Sequence, residues 1–281
     1  MFPLGNRGFK SHPLRIQFNV RRSMGRAIIV ANQKGGVGKT TTVVNLAAYL
    51  AQEGKQTLVV DLDSQGNSCS GLGVTKDEKR KGLYEALLDL VDIGEIIHPT
   101  GIENLSVIPS NIHLSGAQVE LVGMPQREFR LKRVIERVKN RYDYIFIDSP
   151  PSLGLLTING LVASDSVIIP IQCEYYALEG LSQLMKTINL VRQRLNSTLK
   201  LEGVLLTMYD SRTNLSKQVT EEIIAYFKNR VYKTVIPRNV KLAEAPSFGR
   251  PISIYDPKSI GAESYYNLSK EIVKNGEKST G

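Results

Sequence analysis

The stretch ANQKGGVGKTT, residues 31–41, decides the fold of this 281-residue chain. It ends with the Gly-Lys-Thr of a phosphate-binding loop, but Gln33 stands where that pattern has its first glycine. A second lysine, Lys34, lies ahead of the glycines. An apolar run over residues 27–32 precedes the loop, and a helical pattern over residues 40–54 follows it. This order of strand, turn and helix aims backbone N–H groups at one point and predicts a polyphosphate site.

Short apolar runs alternate with helical stretches along the rest of the chain. This alternation predicts an α/β protein, a single-domain, doubly wound, mostly parallel sheet with helices on both faces. The predicted strands cover residues 27–32, 56–63, 104–110, 142–151, 165–172, 201–210 and 232–239. A last amphipathic helix is predicted at about residues 261–274. We therefore expect one domain over residues 27–275 and a polar tail over residues 276–281.

The positive charge is unevenly distributed. The formal net charge is +9, and residues 1–26 contain no acidic residue. The basic residues of this N-terminal arm are Arg7, Lys10, Arg15, Arg21, Arg22 and Arg26. The arm can be an organelle transit peptide, a disordered arm that adds affinity for nucleic acid, or a segment upstream of a true start at Met24. Outside the arm the chain is only mildly basic, so any nucleic-acid site must come from local placement of charges.

Composition disfavours several classes of protein. No apolar run reaches the ~18 residues that a membrane span needs. The two cysteines, Cys69 and Cys173, lie far apart and suggest neither a disulfide framework nor a zinc site. A reducing cytosol suits them best. A hydrophobic content of 42% is enough for an ordinary buried core, so we expect a soluble globular protein.

The residues of the glycine-rich loop have the chemistry of a nucleotide site. The candidate nucleotide-binding residues are Gly35, Gly36, Val37, Gly38, Lys39, Thr40 and Thr41. Lys39 would bridge the β- and γ-phosphates, and the Thr40 hydroxyl would ligate Mg²⁺. Mg²⁺ also needs one or two carboxylates, and Asp61, Asp63 and Asp148 all stand at the ends of predicted strands.

Several stretches together carry a resemblance to a known family. They are KGGVGKTT (34–41), VDLDSQGN (60–67), YDYIFIDSPPSLG (142–154), QCEYYALEGL (172–181), TMYDSRTNL (207–215), YKTVIPRNV (232–240) and EAPSFGRPI (244–252). In combination they resemble the ParA family of chromosome- and plasmid-partitioning ATPases, and within it the Soj subgroup. The resemblance covers about Ala27 to Ser269. It implies a P-loop fold with a deviant Walker A motif, slow ATP hydrolysis, and ATP and Mg²⁺ as cofactors.

The resemblance implies three catalytic residues, namely Lys34, Lys39 and Asp63. The lysine at position 34 would reach across a two-fold interface to the ATP of the other subunit, much as an arginine finger does. Asp63 would orient the attacking water. Ser64 stands where the family has a proline, which loosens this turn, but the Gln-Gly-Asn that follows is retained. We therefore expect hydrolysis to survive.

The resemblance also implies the metal and adenine contacts. Thr40, Asp61 and Asp148 would form the metal site, with Asp148 as the Walker B acid and Asp61 near the metal shell. Pro237 and Asn239 match the segment that holds the adenine. These residues come from distant parts of the chain, and the topology of a parallel sheet would bring them to one edge.

The resemblance implies an ATP-dependent homodimer that binds double-stranded DNA without sequence preference. Such binding needs exposed cations and no base-reading element. The expected DNA contacts are Arg212, Lys217, Arg238 and Lys241. A ParB-type centromere-binding protein would stimulate hydrolysis and release the DNA. We expect the protein to be cytoplasmic and nucleoid-associated, with no membrane partner.

Three other functions are possible on the same fold. A MinD-like membrane-associated positioning ATPase would need a C-terminal amphipathic helix, for which Leu268, Ile272 and Val273 supply a short apolar face. An iron–sulfur reductase component needs cysteine ligands at positions that Cys69 and Cys173 do not occupy. A metabolic amidoligase or kinase would need a pocket for a small substrate, and no motif in the sequence indicates one.

Overall fold

The computed structural model describes residues 25–75, 77, 80–174 and 177–278. The predicted N-terminal arm up to residue 24 and the last three residues of the predicted tail lie outside the described residues. The strands are β1 (Arg26–Val30), β2 (Thr57–Asp61), β3 (His98–Pro99), β4 (Leu105–Ile108), β5 (Tyr144–Asp148), β6 (Ser166–Gln172) and β7 (Lys200–Thr207). They form one sheet in the order β3-β4-β2-β5-β1-β6-β7. Every neighbouring pair is parallel except β3 and β4.

Helices flank this sheet along the whole described chain. They are α1 (Lys39–Gln52), α2 (Asn67–Gly71), α3 (Leu83–Leu87), α4 (Ile93–Ile96), α5 (Leu114–Val122), α6 (Arg130–Glu136), α7 (Leu155–Ala163), α8 (Ala177–Arg194), α9 (Asn214–Phe227), α10 (Val240–Glu244), α11 (Ile252–Tyr255) and α12 (Ile260–Lys278). Among the same residues, 3₁₀ turns cover Arg127–Phe129, Lys139–Arg141, Lys228–Arg230 and Ala245–Phe248. None of the helices in the described ranges has both the length and the apolar character to cross a bilayer.

The two faces of the sheet bury separate hydrophobic clusters. Because side chains alternate along a strand, Ala27 and Ile29 of β1 belong to one cluster, and Ile28 and Val30 belong to the other. Residues of α7 and α8 complete the first cluster, and residues of α1 and α12 complete the second. The predicted doubly wound sheet with helices on both faces is therefore confirmed. All parallel strands end at the same edge, where ligands bind in such folds.

Glycine ends α1, as the sequence predicts. Gly54 has a φ of 79°, and its N–H donates to the Ala51 carbonyl at 2.9 Å. A left-handed residue of this kind satisfies carbonyls at the end of a helix, and glycine adopts the conformation without a Cβ clash. The last helix, α12, runs four residues beyond its predicted end and takes in residues 276–278 of the predicted tail.

The predicted strand over residues 232–239 is wrong. This segment runs beside β7 and makes only isolated bridges, in which Val231 meets Val204 and Pro237 meets Tyr209. Pro237 has no N–H to donate, so a continuous ladder cannot form through it. The irregular course places residues 236–238 beside the end of β7, because the Arg238 N–H donates to the Tyr209 carbonyl at 3.1 Å.

Arg26, which the sequence analysis counted with the N-terminal arm, is the first residue of β1. Its Nη2 donates to both carboxylate oxygens of Glu202 at 2.8 Å. Burial opposes a charge here, but the hydrogen-bonded Glu202 carboxylate raises the pKa of Arg26 on balance. Arg26 therefore belongs to the sheet, and the arm before it contributes one basic residue fewer than the sequence analysis counted.

Candidate nucleotide site

The predicted phosphate loop joins the carboxyl end of β1 to the start of α1. Gly36 and Gly38 have φ values of 74° and 87°, which glycine tolerates without strain. Gly35 and Gly36 are exposed at the tip of the loop. The helix begins at Lys39 without a side-chain cap, so the N–H groups of its first turn have no side-chain acceptor. An anion bound there would receive these N–H groups and the positive end of the helix dipole.

Neighbouring strands hold the loop from both ends. The Asn32 amide donates to the Pro170 carbonyl in β6 at 2.7 Å, and its oxygen accepts the Lys34 N–H at 3.0 Å. At the end of β7, the Thr207 hydroxyl donates to the Val37 carbonyl at 2.9 Å. The loop conformation is therefore fixed by side chains outside the glycine-rich motif.

Lys39 lies inside the loop, and only 7% of the residue is exposed. Its ammonium group donates to the Lys34 carbonyl oxygen at 3.1 Å. Burial lowers the pKa of Lys39, while the carboxylates of Asp148 and Asp63 act in the opposite direction. A desolvated ammonium group at the start of a helix is suited to a polyphosphate, because the negative charge of the ligand compensates for the hydration that burial removed.

Two buried carboxylates stand side by side below the loop. Asp61 ends β2 and Asp148 ends β5, and the two residues are paired in the parallel register. Burial raises the pKa of both carboxyl groups, and for Asp61 the neighbouring charge of Asp148 raises it further. The Thr40 and Ser68 hydroxyls donate to Asp148 Oδ2 at 2.7 and 2.8 Å, which partly offsets the effect of burial.

These groups fit a magnesium site. Asp148 Oδ1 is buried and has no hydrogen-bond partner among the described residues, so one carboxylate oxygen beside the Thr40 hydroxyl is left to accept a ligand. In the described ranges, no group of three or more His, Cys, Asp and Glu side chains is arranged to hold a metal ion by itself. Mg²⁺ bound to a nucleotide needs no such cluster, because phosphates and water supply most of its ligands.

Asp61 is already engaged by backbone N–H groups of the turn at residues 62–66 and of α2. Its Oδ1 accepts the Asp63 N–H at 3.3 Å and its Oδ2 accepts the Cys69 N–H at 3.2 Å. Asp63 is half-buried, and its Oδ1 accepts the Gln65 N–H at 3.0 Å. The turn closes with a 2.9 Å bond from the Gly66 N–H to the Asp63 carbonyl. These bonds form the turn although Ser64 replaces the family's proline.

Lys34 differs from Lys39 in its surroundings. Its side chain is 38% exposed, and its ammonium lies 3.2 Å from Glu174 Oε2, just beyond the end of β6. Within the single subunit, therefore, Lys34 contacts an acidic side chain at the rim of the site, whereas Lys39 contacts the loop itself.

A cavity of about 350 Å³ adjoins the phosphate loop and contains both predicted adenine contacts. Its lining residues are Gly38, Thr41, Thr207, Met208, Ile236, Pro237, Arg238, Asn239, Leu242, Ala243, Pro246 and Tyr265. Asn239 caps α10, because its Oδ1 accepts the Lys241 N–H at 2.7 Å. A mostly apolar pocket beside a phosphate loop suits a flat heterocyclic base. A second cavity of about 390 Å³ shares Thr41 and also borders Thr40 and Asn67.

Comparison with known proteins agrees with this geometry. An AAA domain family model matches residues 25–201. The chain is 61% identical over 253 residues to the sporulation initiation inhibitor protein Soj of Bacillus subtilis, covering 90% of this chain and all of the relative. It is 57% identical to the chromosome partitioning protein ParA of Myxococcus xanthus, covering 90% of this chain and 89% of that one. The chain belongs to the ParA family.

Solved structures with the same fold include nucleotide complexes. A Mycobacterium smegmatis protein described as cobyrinic acid a,c-diamide synthase, with bound ADP and magnesium, is 38% identical, with a TM-score of 0.80. The alignment covers 90% of this chain and 96% of that one. The cell division ATPase MinD of Pyrococcus furiosus is 27% identical, with a TM-score of 0.74 over 89% of this chain and 99% of its own.

In this ParA-family chain the predicted DNA contacts are all exposed, but three of them face an acidic neighbour. Arg212 makes two side-chain bonds to Asp210, at 2.9 and 2.7 Å, and these hold the pKa of Asp210 at about 2. The Lys241 ammonium donates to Glu244 at 2.9 Å. The third pair joins Arg238 to Glu174. Lys217 is exposed in the first turn of α9.

Sequence reasoning missed several residues that shape the site. Asn32 and Thr207 anchor the loop, Ser68 bonds to Asp148, and Glu174 faces Lys34. Met208 lines the base cavity with a left-handed φ of 50°. Thr207, Met208 and Glu174 lie at or just after the carboxyl ends of β7 and β6, so the general rule for open α/β sheets could have indicated them. Ser68 offered no comparable signal.

Proposed function

We propose that this chain is an ATP-dependent switch for chromosome partitioning. In this proposal ATP joins two subunits into a dimer, the dimer binds DNA without sequence preference, and hydrolysis separates the subunits. The observation that carries the proposal is the separation of the two loop lysines. Lys39 is buried against its own loop, while Lys34 is half-exposed at the rim and paired with Glu174.

A lysine delivered from the partner has a clear electrostatic purpose. Two nucleotides that face each other across an interface concentrate negative charge in a site that excludes water. An ammonium group from each subunit would neutralise the phosphates of the other, and the interaction strengthens as negative charge develops in the transition state. Dimer formation and hydrolysis would then require the same residue, Lys34.

The other predicted residues have consistent roles in this proposal. Bound Mg²⁺ would polarise the phosphates, and Thr40 and Asp148 would hold it, with Asp61 next to them. Asp63, half-buried at the turn, would orient the attacking water. The base would occupy the cavity that contains Pro237 and Asn239. Relatives named Soj and ParA, and complexes of a similar protein with nucleotide and magnesium, support the proposal that the site takes ATP and Mg²⁺.

DNA binding would use exposed cations at the carboxyl edge of the sheet. The Arg212 side chain is 83% exposed in the loop after β7, and the segment with Arg238 lies against the same strand end. In this binding mode DNA phosphates would replace the neighbouring carboxylates as partners of these cations. Each phosphate contact would release counterions from the DNA, so the binding would weaken as the salt concentration rises. A ParB-type protein is the expected stimulator of hydrolysis. We further propose that residues 27–275 act as one ATPase domain and that the dimer is nucleoid-associated in the cytoplasm.

Two other functions on this fold make different predictions. For a MinD-like membrane ATPase, the last helix would need a free apolar face, but Leu268 and Ile272 of α12 are fully buried. The likeness to the Mycobacterium smegmatis structure favours, as a second candidate, an amide-forming synthase that acts on cobyrinic acid. That function predicts ATP turnover that depends on the small substrate and is indifferent to DNA.

A DNA mobility shift with ATP, with ADP and without nucleotide tests the proposal. We expect retardation of unrelated duplexes with ATP and little with ADP or without nucleotide. DNA binding that is equal in all three conditions, or absent in all of them, would contradict the switch. A separate measurement of ATP turnover with and without cobyrinic acid tests the second candidate. Stimulation of turnover by that compound would favour the synthase.

A further inference from the structure

One carboxylate at the rim of the nucleotide site contacts two of the cations that the proposed function uses. Glu174 Oε2 lies 3.2 Å from the Lys34 ammonium, and Glu174 Oε1 lies 3.7 Å from the Arg238 guanidinium. The Gln172 amide also donates to Glu174 Oε1. Donors from the phosphate loop, from the end of β6 and from the segment before α10 therefore meet at one acidic side chain.

The position of Glu174 is set by the sheet, while its contacts remain accessible to water. Glu174 is the second residue after the end of β6, and its N–H donates to the carbonyl of Gln172, the last residue of that strand, at 2.8 Å. The Glu174 side chain is 44% exposed and that of Lys34 is 38% exposed. Ion pairs at such sites are weak and open readily. Lys34 is thus held near the nucleotide site by a contact that another anion can replace.

We propose that Glu174 is a positioning residue that holds Lys34 within its own subunit until the nucleotide of a second subunit replaces it. This inference rests on the proposed function, because it requires the nucleotide-sandwich dimer. The γ-phosphate adds charge that one carboxylate cannot match, so ATP displaces Glu174. ADP lacks that charge and competes less well. Glu174 therefore imposes a cost on dimer formation that ATP overcomes more readily than ADP.

The size of the effect follows from the exposure of the pair. A half-exposed ion pair changes an equilibrium by about twofold to fivefold. Each dimer opens two such pairs, one in each subunit, so the two factors multiply. Removing the carboxylate is therefore expected to tighten the dimer by about fourfold to 25-fold. The dimer dissociation constant with ADP should fall by the same factor.

Glu174→Gln tests this inference in the full-length protein, since glutamine keeps the shape and the acceptor of the side chain but not its charge. Sedimentation velocity with a slowly hydrolysed ATP analogue, and separately with ADP, would give the dimer dissociation constants. The matched control is Glu103→Gln, which removes an exposed carboxylate in the turn before β4. We expect tighter dimers for Glu174→Gln and for a second variant, Glu174→Ala, and no change for the control.

The outcomes separate this inference from the proposed function. A wild-type protein that forms no dimer with the analogue contradicts the proposed function itself. A wild-type dimer that Glu174→Gln leaves unchanged or weakens overturns the role of Glu174. A last measurement compares nucleotide affinity in the Lys34→Ala background with and without Glu174→Gln. Tightening of nucleotide binding in that background, by as much as the dimer tightens, would also overturn it, because the effect would not pass through Lys34.

Discussion

The interior of the nucleotide site and its rim hold their charged groups by different means. Inside, Lys39 and Asp148 are almost fully buried and are bonded to neighbours in their own fold. At the rim, which here includes the loop after β7, Lys34 is half-exposed and Arg212 is exposed, and each is paired with one carboxylate that water also reaches. Buried contacts are costly to break, whereas exposed ion pairs exchange readily. The interior is therefore suited to hold a nucleotide, and the rim is suited to change partners.

The largest expected effects, on ATP affinity and on dimer formation, come from replacing each of the two lysines separately by alanine. Lys39→Ala should weaken ATP binding by about a hundredfold or more, because it removes a charge-assisted contact to the phosphates in a buried site. Lys34→Ala should leave the ATP affinity of the single subunit within about threefold and should abolish ATP-induced dimers. Calorimetric titration and sedimentation velocity measure the two effects. Equal losses of ATP affinity in both variants would contradict the division between interior and rim.

Asp63→Ala tests the boundary between the two regions. We expect hydrolysis to fall by about 10²–10⁴-fold, because the variant loses the group that orients the attacking water. ATP binding and dimer formation should persist, so the ATP-bound dimer should accumulate in sedimentation. Phosphate release that continues at the wild-type rate would exclude this role for Asp63.

Arg212→Glu tests the rim alone. Reversing one phosphate-contacting charge should weaken DNA binding by about tenfold or more at moderate salt and should leave ATP affinity unchanged. Arg137→Glu is the matched control, because it reverses an exposed arginine that follows α6. Mobility shifts for both variants give the comparison. A similar loss in the control would mean that only total charge matters.

The smallest expected effect concerns the buried acids and pH. Burial raises the pKa of Asp61 above its unfolded value, so the folded state binds more protons between those two values. The free energy of unfolding should therefore fall as the pH rises through the folded pKa. Most of the stabilisation that Asp61 contributes should be present at lower pH. Asp61→Asn should flatten this dependence by on the order of 1 kcal/mol. Thermal melts without Mg²⁺ between pH 5 and 8 measure this dependence. The same change of stability with pH in the variant and the wild type would contradict a raised pKa of Asp61.

Local patterns in the sequence predicted where Lys39, Asp61 and Asp148 would lie, although they did not indicate Ser68. The glycine-rich loop is contiguous, and the acids at the ends of β2 and β5 meet because parallel strands share one edge. Rim contacts such as Lys34 with Glu174 join residues 140 positions apart, and no local pattern encodes that pairing. The failed strand at residues 232–239 has the same origin, since its course depends on the edge of β7 and on Pro237.

The most direct test of the two-lysine account is complementation between two inactive variants. Lys34→Ala and Asp63→Ala are mixed before ATP is added, and phosphate release is measured with DNA present. If Lys34 acts on the partner's nucleotide, each mixed dimer contains one complete site, with ATP and Asp63 from one subunit and Lys34 from the other. We predict hydrolysis well above the sum of the separate variants. Activity no higher than that sum would contradict the account.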